Sequence, residues 1–260
     1  VKTVLQIKEV IKRYITEKKQ IIHALDNINL EINHNDFVCL LGPSGCGKST
    51  LLRMVAGLES ITGGEIVYQG RKIQKTNRDI GMVFQEYSLF PWRSVMENVT
   101  VGLEFAGIKK AERQQIGENY LDLVGLSDFS NSYPYELSGG MQQRVAIARS
   151  LATDPDLLLM DEPFGALDAH TRILLQQELL NIWEKNKKTI IFVTHSVDEA
   201  VYLADKIVVM THGPGKIKDI INVDMTRPRN RANPRYAQLT ANLLDMLNYK
   251  APQQDKVVNL

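Results

Sequence analysis

Cysteine is nearly absent from this sequence of 260 residues: Cys39 and Cys46 are the only two. Neither a disulfide framework nor a cysteine-based zinc site can be built from so few. Long hydrophobic runs are missing as well. Crossing a bilayer takes about 20 consecutive apolar residues, whereas the longest runs here, such as 157–160 and 190–193, are short and bounded by polar residues. The N-terminal stretch VKTVLQIKEVIKRY scatters its charges and has no apolar segment after a basic start, so no signal peptide is expected. No excess of one charge exists either. Lysine and arginine total 31 against 30 acidic residues, for a net charge of +1. A dedicated nucleic-acid binder would show a strong basic excess or stripe, so nucleic acid is not expected as a partner.

What is present suits a large buried core. The apolar fraction is 44%, and a chain of this length buries about 70–75% of the surface it exposes when unfolded. Short apolar, β-prone runs occupy 37–41, 80–84, 157–160, 190–193 and 207–210, separated by helix-length segments. Continuous apolar runs are the pattern of parallel strands buried on both faces. Residues 171–184 form an amphipathic helical stripe built on Ile173, Leu174, Leu175, Leu179, Leu180, Ile182 and Trp183. Alternating strands and helices imply an α/β sheet with crossover helices. Before about residue 75 the apolar residues fall in short, partly alternating segments, which predicts an antiparallel β-layer beside the main sheet. Residues 86–154 are dominated by helix formers, with 109–124 the clearest helix, and are expected to be a helical insertion. From 213 the sequence turns polar and proline-marked, then ends in a helix-like stretch at 236–247. Cys39, inside an apolar run, is expected to be a reduced core thiol.

Gly42-Pro43-Ser44-Gly45-Cys46-Gly47-Lys48-Ser49-Thr50 follows one of the predicted strands and leads into a helix beginning near Lys48. Glycine, four residues, then Gly-Lys-Ser is the phosphate-loop pattern of nucleoside triphosphate-binding proteins. The glycines let backbone N–H groups turn around the phosphates where a Cβ would obstruct. The helix N-terminus adds about half a positive charge facing the anion. Lys48 is expected on the β- and γ-phosphates and the Ser49 hydroxyl on Mg²⁺. Cys46 fills the loop, and a thiol beside a helix N-terminus is expected to have a lowered pKa. At 157–162 a buried strand ends in Asp161 and Glu162. Side chains alternate along a strand, so the two acids should point in different directions. Asp161 is expected to hold Mg²⁺, directly or through water, and Glu162 to polarise the attacking water.

The segment Leu137-Ser138-Gly139-Gly140-Met141-Gln142-Gln143-Arg144 then makes a second anion cradle ahead of a second helix, expected at 142–152. With this segment the sequence resembles the ATP-binding-cassette (ABC) family, whose signature is LSGGQ; Met141 stands where that pentapeptide has glutamine, and Gln142 follows. The resemblance covers roughly residues 5–210. It implies a P-loop NTPase core of the RecA type, a flanking antiparallel β-layer and an inserted α-helical subdomain, together one nucleotide-binding domain. Its parts would be a core at about 1–85 and 155–212, the helical subdomain at 86–154 and a tail at 213–260. It further implies that Tyr14 stacks on adenine, that Gln85 touches Mg²⁺ and the attacking water, that Ala166-Leu167-Asp168 crosses a dimer interface, and that His195 contacts the γ-phosphate. Ser138, Gly139, Gly140 and Gln142 would serve the ATP of a second cassette, giving a head-to-tail dimer with nucleotide at the interface, a homodimer being expected. The segment 85–92 (QEYSLFPW) is the implied docking groove for a transmembrane permease subunit, with Tyr87, Leu89, Phe90 and Trp92 exposed to receive it.

The spacing narrows the choice within the family. Ser138 follows Lys48 too closely for the long coiled coil of the repair and chromosome proteins, and one cassette excludes the two-cassette translation factors. GMVFQEYSLFPWRSVMENV and THGPGKIKDIINVDMTRPRNR resemble the nitrate, sulfonate, taurine and bicarbonate importer group. The expected protein is an ATPase peripheral to the cytoplasmic face of the membrane, served indirectly by a substrate-binding protein. A soluble iron–sulfur assembly ATPase and a non-hydrolysing nucleotide-binding regulator are the alternatives.

Overall fold

The computed structural model describes residues 2–165 and 167–248. Ala166, the first residue of the expected interface loop, and residues 249–260 of the expected tail lie outside the described residues.

Two long strands, β1 (Thr3–Ile15) and β2 (Ile21–Asn33), open the chain as an antiparallel pair. Next come β3 (Phe37–Leu41), α1 (Lys48–Val55), β4 (Gly63–Tyr68), β5 (Arg71–Lys72) and β6 (Ile80–Val83). Three helices follow: α2 (Val95–Phe105), α3 (Lys110–Leu123) and α4 (Gly139–Ala152). Strands and helices then alternate through β7 (Leu157–Asp161), α5 (Ala169–Asn186), β8 (Thr189–Thr194), α6 (Val197–Leu203) and β9 (Lys206–Met210). Beyond them lie β10 (Ile217–Asn222) and α7 (Pro234–Asn248).

The strands form two sheets. The main one runs β10-β9-β3-β8-β7-β6, parallel except for β10, and the antiparallel layer runs β2-β1-β4-β5. All residues of β3, β7 and β8 are buried, which is why these strands read as unbroken apolar runs. Their alternate side chains feed two separate cores. Val38, Leu40, Leu157, Leu159, Ile191 and Val193 pack with α1 and the antiparallel layer. Phe37, Cys39, Leu41, Leu158, Met160, Ile190 and Phe192 pack with helices on the opposite face.

Three expectations need correction. The second helix starts at Gly139 and not at Gln142, because the Ser138 side chain caps it there. The polar stretch after 213 contributes β10, an antiparallel edge strand on β9. Of the aromatic and apolar residues expected to be exposed at 85–92, Trp92 alone is exposed, at 72%, while Tyr87, Leu89 and Phe90 are half-buried. Tyr87 and Leu89 pack on the helical core.

Candidate active site

Neighbouring strands β3, β8 and β7 end on one side of the main sheet, and the expected catalytic residues leave from those ends. Open α/β sheets bind ligands off the carboxyl ends of their strands. After β3 the loop from Gly42 to Gly47 enters α1 with Gly45 at φ +76° and Gly47 at φ +93°. A Cβ on Gly47 would lie 2.6 Å from Leu25 Cδ2, so the position needs glycine for space as well as for torsion. Ser44 and Gly45 form the exposed rim of the loop, and Gly42 is packed against Cys46 and Met210.

No side chain caps α1 or the surface helix α3, whereas Ser94, Ser138, Asp168 and Ser196 cap α2, α4, α5 and α6. The first N–H groups of a helix have no intrahelical acceptor. At α1 they remain available to an anion, and this chemistry fits a phosphate group. Lys48 is buried, and its Nζ donates to the Gly42 and Pro43 carbonyls at 2.8 and 2.9 Å, which holds the ammonium across the loop.

Burial pushes the Cys46 thiol pKa up, and the nearby Lys48 ammonium does not reverse this. The expected lowered value is therefore wrong: a thiol without water cannot support a thiolate, whatever the helix terminus contributes. Cys39, fully buried, is raised well above its ordinary value for the same reason.

Asp161 and Glu162 reach different partners, but Glu162 lies beyond the end of β7, so its direction comes from its own torsion and not from strand alternation. The Ser49 hydroxyl donates to Asp161 Oδ1 at 2.7 Å. Burial raises the Asp161 pKa, with the Ser49 hydrogen bond opposing it. Glu162 adopts φ +44°, an uncommon torsion for a residue with a side chain, and its N–H donates to the Val193 carbonyl at 3.1 Å. Its Oε2 lies 3.1 Å from His195 Nδ1, at the end of β8. Left-handed torsion at a residue of this type is stored strain of the sort that collects at functional sites.

Tyr14, on β1, is 37% exposed and has the Lys12 ammonium 4.7 Å from its ring centroid. Burial and the neighbouring Glu59 carboxylate raise its phenol pKa, and Thr50, at the start of α1, opposes them. The tyrosine thus stands beside α1. Gln85 lies exposed in the turn beyond β6. Ser49 and Asp161 offer hard oxygen ligands, the kind Mg²⁺ takes. Among the described residues no group of three or more His, Cys, Asp or Glu could hold a metal ion, so a cation here needs further ligands from phosphate or water.

The signature residues sit on the helical part of the molecule. Ser138 Oγ accepts from the Met141 N–H at 3.4 Å. Gly139 and Gly140 make the first turn of α4, where a Cβ would come 2.9 Å from the Tyr87 hydroxyl and 2.8 Å from Thr171 Cγ2. Gln142 turns back on its own chain, donating to the Pro134 and Leu137 carbonyls at 2.9 and 3.2 Å. Asp168 caps α5 by accepting from the Thr171 N–H at 3.0 Å. One residue that sequence reasoning passed over is Arg149, whose guanidinium donates to the Ser88 and Tyr87 carbonyls at 2.6 and 3.0 Å. A single charged residue within the mostly apolar VAIARSLA stretch was the available signal.

Comparison with known proteins agrees with this geometry. A family model described as ABC transporter matches residues 25–165. An uncharacterized ABC transporter ATP-binding protein of Methanocaldococcus jannaschii is 55% identical over 226 residues, covering 87% of this chain and 85% of that protein. An aliphatic sulfonates import ATP-binding protein of Bacillus thuringiensis subsp. konkukian is 46% identical over 239 residues, 92% of this chain and 94% of that one. Among solved structures, a dimeric bacterial ABC transporter cassette has a TM-score of 0.76 and 35% identity, covering 85% of this chain and all of its own. A post-hydrolysis dimer of an ATP-binding cassette with ADP and Pi has a TM-score of 0.75 and 34% identity, with the same coverage.

The chain belongs to the ABC transporter family. It is an ATP-binding subunit of that family, an ATPase with the P-loop NTPase fold. Among the described residues no helix is long and apolar enough to cross a membrane.

Proposed function

We propose that this chain hydrolyses ATP with Mg²⁺ in a two-cassette assembly and drives uptake of a small anion, of the sulfonate class, through a membrane permease. One observation carries the reading: the Ser49–Asp161 and Glu162–His195 pairs converge at one end of the main sheet, beside the uncapped start of α1. In this scheme Lys48 and the Gly42–Thr50 loop bind the β- and γ-phosphates, and Tyr14 stacks on adenine. Ser49, Asp161 and Gln85 hold Mg²⁺, which when bound neutralises charge between the phosphates. Glu162 orients and deprotonates the attacking water, and His195, fixed by its contact with Glu162, meets the γ-phosphate. Ser138, Gly139 and Gly140 face the nucleotide of a second cassette, with Gln142 supporting the turn that presents them.

The whole chain is then one nucleotide-binding domain, with the helices of 86–154 as the arm that moves against the core. The permease docks at 85–92, keeping the subunit at the cytoplasmic face of the membrane. Support for dimerisation comes from the dimeric cassettes that share the fold, and support for the cargo class from the sulfonate-import relatives.

Glu162→Gln tests the chemistry. Loss of a positioned base costs about 10²–10⁴-fold in rate. The variant should keep nucleotide affinity and dimerise with ATP while turnover falls by that factor. Hydrolysis at the wild-type rate would refute the assignment of the base. For the cargo, a gene-deletion strain should fail to grow on an alkanesulfonate as sole sulfur source; normal growth there would remove the sulfonate reading.

A further inference from the structure

Two loops of the site are joined below the surface by side chains that the scheme above leaves without a part. His195 sits between Thr194 and Ser196, and both neighbours are held. The Thr194 hydroxyl donates to Glu199 Oε2 at 2.5 Å and accepts from the Ser196 N–H at 2.9 Å. Glu199, on α6, is only 5% exposed. Burial raises the Glu199 pKa, and the Thr194 hydrogen bond and the Arg172 guanidinium oppose it, so a charge here depends on those two partners. Its second oxygen lies 3.7 Å from Arg172 Nε. Arg172, on α5, donates from Nη2 to the Leu167 carbonyl at 2.8 Å and from its backbone N–H to the Asp168 carbonyl at 3.0 Å. Hydrogen bonds on either side, joined by the 3.7 Å Arg172–Glu199 ion pair, in which Arg172 Nε makes no hydrogen bond, thus lead from the Leu167-Asp168 loop to the backbone on both sides of His195.

Local helix capping accounts for only one oxygen of the carboxylate. The α6 cap is made by Ser196 Oγ, which accepts from the Glu199 backbone N–H at 3.4 Å. One Glu199 oxygen serves the cap N–H of Ser196 through the Thr194 hydroxyl, and the other leaves the cap for Arg172 on α5.

We propose that Glu199 is a positioning residue for hydrolysis: through Thr194 and Arg172 it fixes the loop carrying His195 relative to the loop carrying Asp168. This rests on the role given to His195 above. A shift of the Asp168 loop, such as contact with a second cassette would cause, is passed to His195 through three side chains, and the histidine reaches its working position only when that loop is seated.

The test uses the full chain with Glu199→Gln and Thr194→Val. Glutamine keeps an acceptor for Thr194 but loses the charge facing Arg172, so it is the variant least prone to unfold. Misplacement of a reacting group costs up to about 100-fold. Both variants should lose about 10- to 100-fold in kcat, with KM and Mg·ATP affinity held within about twofold, the signature of an interaction used in the transition state and not in binding. In NMR spectra the His195 ring signals, assigned with His195→Ala, should move while those of His23, His34 and His212 stay. Combining Glu199→Gln with Arg172→Gln should lower kcat no further than the worse single change, because both cut one connection. Unchanged kcat, a loss explained by KM or by the unfolded fraction, or an unmoved His195 signal would each overturn the inference. His195→Ala with wild-type turnover would instead sink the reading beneath it, so the two failures are told apart.

Discussion

Arg149→Ala should release the segment after Gln85 without unfolding the molecule. Burial lowers the Arg149 pKa, so this guanidinium sits in an environment that would not hold it without partners. Those partners are the Ser88 and Tyr87 carbonyls, at 2.6 and 3.0 Å. A hydrogen bond to a charged group contributes about 1.5–3 kcal/mol, and two sharing one side chain fall short of twice that. Taking about 3 kcal/mol for the pair, removal raises the open population of the segment about a hundredfold, at about 1.4 kcal/mol per factor of ten. The release should stop at Phe90. Asn98, fully buried, holds that residue separately, accepting from its N–H at 2.8 Å and donating to its carbonyl at 3.1 Å. Limited chymotrypsin digestion reads this directly, because cleavage follows the open population when reclosing is fast. Cutting after Tyr87 and Leu89, both half-buried in the wild type, should accelerate about a hundredfold, while cutting at core sites such as Phe192 does not. Cleavage after Tyr87 within about threefold of wild type, or an equal rise at all sites, would refute the reasoning.

Gly47→Ala combines a left-handed torsion, costing about 1–2 kcal/mol, with a methyl group driven against Leu25, costing about 1–3 kcal/mol; its urea midpoint should fall accordingly, together with nucleotide affinity. Acid stability should show the Asp198 carboxylate. Burial raises its pKa, but hydrogen bonds from Arg231 and Tyr236 outweigh this and leave it lowered. A lowered folded-state pKa gives stability that is present above the ordinary aspartate value and lost as pH falls through the folded one. Asp198→Asn should therefore be less stable than wild type at neutral pH, and the two should converge below about pH 4 in urea titrations.

Much of the fold was legible because burial on both faces leaves a plain mark. The strands around Cys39, Leu159 and Phe192 have no polar alternation to blur them. The antiparallel layer was readable for the converse reason, its alternation. The edge strand β10 escaped because it has so little burial: none of its residues is fully buried, and a polar, half-exposed IKDIIN gives no hydrophobic run to find. The start of α4 was hidden by chemistry that looks like a loop. Consecutive glycines usually break a helix, but here they let Tyr87 and Thr171 approach its first turn. At the site, residues adjacent in sequence to strand ends were found, since the chemistry there depends on local order. Arg149 and the Arg172–Glu199 pair were not singled out, because Arg149 bonds carbonyls about sixty residues back and Arg172 meets Glu199 only in the folded arrangement.

The division of the interior into two cores has a mechanical consequence. The main sheet works as a bulkhead. On one side α1, which carries the lysine and serine of the phosphate loop, is bedded in the same apolar mass as β1, β2 and β4. On the other, α2 to α7 share a second mass, separate from the first among the described residues. Softening the helical side, for example by trimming Val99 or Leu121, should therefore lower stability while leaving ATP affinity, measured by calorimetry, unchanged under the proposed function. Under the proposed function, the phosphate-binding side and the helical side would thus rest on separate foundations within one chain.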